Sequence, residues 1–86
     1  MTLPTIHLNG TSKKNLIQAL CQASHALDAA YGALKETSPN GRDYYPQGPE
    51  AFGQAVTEHC SRLSRLDAIK DEIDTLTLRI DRIYGS

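Results

Sequence analysis

The sequence predicts an all-α protein: an antiparallel two-helix hairpin with a short N-terminal arm, assembling as a helical homo-oligomer. Three observations lead there. The prolines stand at positions 4, 39, 46 and 49, which leaves two long stretches without a break. In both stretches apolar residues recur at steps of three and four, the repeat of one helix face. The chain has 86 residues, one small domain, and a two-helix unit of that size holds too little core to stand alone.

Residues 1–11 form the arm. Thr5-Ile6-His7-Leu8 alternates, as an extended segment does. The first helix is expected over 12–36, with Thr11 or Ser12 accepting a backbone N–H at its start. Its seam is Leu16, Leu20, Ala23, Leu27, Ala30 and Leu34, widened by Ile17, Cys21 and Tyr31. Residues 37–48 connect, with Asn40-Gly41 as a turn signal. The second helix is expected over 49–84. Pro49 suits its first position, where an N–H has no partner anyway. Its seam runs from Phe52 and Val56, through His59 or Cys60, Leu63, Leu66, Ile69 and Ile73, to Leu76, Ile80 and Ile83. Gly85 ends it without a Cβ penalty. Glu58–Arg62 and Asp67–Lys70 have the spacing of surface ion pairs.

Folding the chain about Asp43 sets Ser12 opposite Asp74. At 1.5 Å per residue the helices are about 37 and 54 Å long, so the second overhangs the first by roughly ten residues. Leu76, Ile80, Ile83 and Tyr84 lie in that overhang and become the expected oligomer interface.

Composition narrows the function. Nine basic residues against ten acidic ones give a charge of −1. That balance argues against a duplex nucleic-acid binder, which needs a basic face. No apolar run reaches the length of a membrane span. No charged n-region precedes an apolar h-region, so a cytoplasmic location is expected. Cys21 and Cys60 fall inside helical patterns without ligand spacing, and are expected as free, buried thiols in a reducing compartment.

Two segments exceed what a hairpin requires. Asn9-Gly10-Thr11-Ser12-Lys13-Lys14 puts two lysines in a first helical turn, against the helix dipole. Amides, hydroxyls and ammonium groups at a helix start suit a phosphate or carboxylate. A plain N-cap with solvated lysines explains the same residues. The connection holds Arg42, Asp43, Tyr44, Tyr45 and Gln47. Arginine forks onto phosphate and tyrosine offers a ring for stacking. The same residue types anchor protein interfaces, or simply plug a hairpin end. The candidate ligand site is therefore Thr11, Ser12, Lys13, Lys14, Arg42, Tyr44, Tyr45 and Gln47. No cofactor is implied. His25, His59 and Cys60 fall near one level of the hairpin but complete no metal-ligand set. No nucleophile and base can be paired from spacing, so an enzyme is not expected.

The stretches Ile6-His7-Leu8-Asn9-Gly10-Thr11-Ser12 and Ser38-Pro39-Asn40-Gly41-Arg42-Asp43-Tyr44-Tyr45-Pro46-Gln47-Gly48 resemble a family of small, mostly uncharacterised phage and prophage proteins. The resemblance extends through Ala55 and Glu58-His59. It implies a bacterial host cytoplasm during infection and an accessory, anti-defence role. Some small phage proteins of that kind are oligomeric helical sponges for cyclic nucleotide signals. Others block a host protein directly. The two expectations for this chain are thus sequestration of a small anionic ligand between subunits, and inhibition of a host defence protein through the tyrosine/arginine loop.

Overall fold

The computed structural model describes residues 1–85. Helix α1 spans Lys13–Lys35, a short turn α2 spans Gly41–Tyr44, a 3-10 turn follows over Tyr45–Gln47, and α3 spans Pro49–Tyr84. Helices α1 and α3 pack antiparallel into a rod of 61 × 20 × 19 Å. Among the described residues every regular element is helical, and no helix is long and apolar enough to cross a membrane.

The helix ends follow local chemistry. Ser12 caps α1, its Oγ accepting the Asn15 N–H at 3.1 Å. Pro49 opens α3, and Gly48 enters it at φ 99°, a backbone conformation open to glycine. Gly85 closes it at φ 56°. The arm is irregular rather than a strand. It turns at Leu8–Gly10, where the Gly10 N–H donates to the His7 carbonyl at 3.1 Å.

The register differs from the one expected. Ser24, not Ser12, lies opposite Asp74, and its Oγ donates to Asp74 Oδ1 at 2.6 Å. Ser38 lies opposite His59, with 3.2 Å between Oγ and Nε2. The Ser38 hydroxyl proton goes to the Lys35 carbonyl at 2.7 Å, so the His59 Nε2–H is the donor between them. The reason is the connection. It is coiled into two helical turns that pack against α3, not an open loop bisected at Asp43. The first turns of α3 therefore extend beyond α1, and the overhang falls at the proline end. The C-terminal half of α3 is matched by α1 along its length.

That shift re-assigns the expected interface. Ile80 is fully buried within the chain, so it has no surface left for a partner. Leu76 is half-buried, and Ile83 and Tyr84 are partly exposed. The α1 seam is largely the expected one: Leu16, Ile17, Leu20, Ala23, Leu27, Tyr31 and Leu34 are all covered, with Ala30 the exposed exception. Lys13 and Ser24 join it, Ser24 because its hydroxyl meets a carboxylate. On α3, His59 occupies the seam, which turns Cys60 outward; Cys21 is exposed too, so neither thiol is buried.

Asp74 also accepts from Lys70 Nζ at 2.9 Å, one turn away. Lys70 thus faces Asp74 rather than the expected Asp67. The Ser24 hydroxyl, then the Lys70 ammonium, hold the Asp74 carboxyl below its usual range; the same hydrogen bond raises Lys70.

Two stability outcomes follow. Ile80→Ala should lower unfolding free energy in denaturant by about 2–5 kcal/mol, because it empties a fully covered position. Leu78→Ala, on an exposed site, should change it by less than about 0.5 kcal/mol. For Asp74 the folded pKa is depressed, so its contribution is present above the ordinary carboxylate range and is lost as pH falls through the lowered value. Asp74→Asn keeps an acceptor for Ser24 but no charge. Acid unfolding curves of this variant should be flatter than wild type below about pH 4, the unfolded Asp range; an identical acid dependence would remove Asp74 from the account.

Candidate functional site

The expected site residues separate into two groups at opposite ends of the rod. At the open end, the Lys13 ammonium lies 3.2 Å from Asp81 Oδ1 and donates to the carbonyl oxygens of Asp81 and Gly85. A cation against the last carbonyls of α3 is favourable, worth about 0.3–1 kcal/mol. The lysine that opposes its own helix dipole serves the dipole of the antiparallel neighbour. Lys13 is thereby engaged within the chain. The hydroxyl of Ser12 is engaged by its cap. Thr11 and Lys14 are exposed.

Beside Lys13, the Tyr84 hydroxyl donates to the Pro4 carbonyl at 2.8 Å and accepts the Ile6 N–H at 3.2 Å. This clasp ties the arm to the end of α3. Its role was not legible in the sequence, because a terminal tyrosine beside Gly85 carries no sign of its partner.

The other group sits at the tip. Asn40 Oδ1 accepts the Arg42 N–H at 3.0 Å, so Asn40 starts α2 as a cap. That places Arg42 on the outer surface, where its guanidinium has no hydrogen-bond or ion-pair partner among the described residues. Tyr44 packs against Phe52 with ring centroids 6.4 Å apart, tilted by 46°. Tyr45 is 86% exposed. Gln47 is exposed. Gly41, Tyr44, Tyr45, Gly48, Pro49 and Phe52 line an open hollow of about 340 Å³. A hollow with aromatic walls and an unpaired guanidinium nearby can stack a planar group and hold an anion.

A third feature was missed at the sequence level. Cys21, Ser24, His25 and Asp28 of α1, with Lys70, Asp74, Thr77 and Leu78 of α3, line a shallow groove of about 410 Å³ along one side of the hairpin, which holds the ionisable groups of His25, Asp28, Lys70 and Asp74. Ser24 and Asp74 were the available signal, polar residues at covered positions of otherwise apolar helices. His25 belongs to this groove and His59 to the Ser38 contact, so the two histidines do not share one level.

Compared with known proteins, the chain matches no family model, no curated protein and no solved structure.

Lys13→Ala should therefore act on structure. Amide hydrogen exchange should quicken in the last turn of α3, while Lys14→Ala leaves it unchanged. Equal protection in both variants would separate Lys13 from the helix end.

Proposed function

We propose that this chain is a non-enzymatic accessory protein of phage type, which assembles as a helical homo-oligomer and sequesters a small anionic ligand, a cyclic nucleotide in the first instance, between subunits. The observation that carries the reading is the tip: Arg42, Tyr45 and Gln47 are presented to solvent at an aromatic hollow, with no side-chain hydrogen-bond partner among the described residues. A guanidinium can hold a nucleotide's phosphate and an exposed ring can stack its base. A further support is the small core. Only Ala55 and Ile80 are buried apolar residues among those described, too few for a stable lone hairpin. Assembly would set one subunit's tip beside the Thr11 and Lys14 of another. Lys13 leaves the proposed ligand set, because α3 holds it.

A second reading is favoured by the exposed Tyr45 beside Phe52 and Pro49. Tyrosine and arginine dominate protein-binding hot spots, so the tip also fits capture of a host defence protein.

Calorimetry against cyclic and linear nucleotides separates the two. The ligand reading expects binding with the nucleotide recovered intact. Arg42→Ala, Tyr45→Ala and Lys14→Ala should each weaken it by about ten- to a hundred-fold, the worth of one charge-assisted or stacked contact. Lys13→Ala should spare affinity at temperatures where the fold is retained. If no nucleotide binds, and Arg42→Ala and Tyr45→Ala instead abolish capture of a host protein, the ligand reading is wrong.

A further inference from the structure

The two sides of the hairpin differ in kind. One carries the groove with the ionisable groups His25, Asp28, Lys70 and Asp74, beside Cys21 and Leu78. A helix turns by about 100° per residue, which fixes what the other side carries. On α1 it is Leu16, Ala23 and Ala30; on α3 it is Ile69, Leu76 and Ile83. Both rows step by seven residues. With Ser24 opposite Asp74, the rows fall level in three apolar rungs: Leu16 with Ile83, Ala23 with Leu76, and Ala30 with Ile69. Leu16, Ala23 and Leu76 are half-buried at the edge of the seam, Ala30 is exposed, and Ile69 and Ile83 are 47% and 58% exposed.

We infer that a second copy of this chain covers this side, closing an antiparallel four-helix core. The inference rests on the homo-oligomer named above and adds the surface that builds it. The seven-residue repeat is the spacing at which side chains of adjoining helices interlock. The area suffices. A face about 35 Å long and 20 Å wide covers roughly 700 Å² on each copy, so about 1,400 Å² in total, within the range of stable interfaces.

The rungs also fit a second copy of themselves. A two-fold axis through the middle rung, at right angles to the helices, lays the Leu16 end on the partner's Ala30 end. Along α1, Leu16 then meets Ala30 at both outer rungs, and Ala23 meets its own copy at the axis, where the small side chains allow close approach. The same operation sets Arg79 near the level of Glu72 of the partner subunit, so opposite charges meet at the edge of α3. The groove, on the far side, stays open to solvent.

The test is the mass of the full chain by light scattering, with helicity followed by circular dichroism. Wild type should contain at least two chains. Ile69→Glu and Ile83→Glu should reduce the mass to one chain at concentrations where wild type stays assembled. Ala30→Arg should do the same; it adds bulk at an exposed position and removes nothing from the hairpin. Leu78→Glu, equally exposed but on the groove side, should leave the mass unchanged. A monomeric wild type would overturn both this inference and the homo-oligomer itself. An oligomer that survives Ile69→Glu, Ile83→Glu and Ala30→Arg, or is dispersed by Leu78→Glu, would overturn the chosen face alone.

Discussion

A serine hydroxyl meeting a carboxylate fixes how the two helices lie against each other. Apolar seams spaced by three and four can slide by a helical turn with little loss, since one leucine covers much the same area as the next. The Ser24–Asp74 hydrogen bond resists sliding, because a shift strands the buried Ser24 hydroxyl without its acceptor. Lys70 completes the arrangement from one turn away. From this one rung follow the level of His59 with Ser38, the seat of Lys13 against the end of α3, and the alignment of the three apolar rungs.

The ends of the elements were readable from sequence; their relative placement was not. Ser12, Pro49 and Gly85 act within a few residues of themselves, so composition shows what they do. The register is pinned by Ser24 and Asp74 and needs a connection of matching length. Asn40-Gly41 reads as a turn, yet Asn40 caps a short helix, and the coiled connection moves the overhang from one end of α3 to the other. The seam of α1 was legible, but its level against α3 was not. Only a partner on the facing helix sets that level, and the partner of Ser24 lies 50 residues away.

The candidate site shows the same division. Lysines in a first helical turn were a legible anomaly. For Lys13 the explanation lies in the Gly85 carbonyl, at the far end of the sequence, while Lys14 stays exposed. Arginine and tyrosines in a short connection were equally legible. There the exposure of Arg42 and Tyr45 leaves their chemistry unspent within the chain. One excess is absorbed by the fold and the other is not, which is why the tip rather than the helix start anchors the functional reading.

The Tyr84 clasp has a bearing on the order in which the chain comes together. It joins residues 78 and 80 positions apart, the longest loop in the molecule. Closing such a loop from an unfolded chain has a larger entropic cost than closing the short tip, by an amount that grows with the logarithm of length. Each rung formed upward from the tip shortens what remains to be closed. Loop-closure entropy therefore favours contacts at the proline-rich end first and the clasp last. The clasp secures the arm alone, since Lys13 holds the end of α3 through separate atoms.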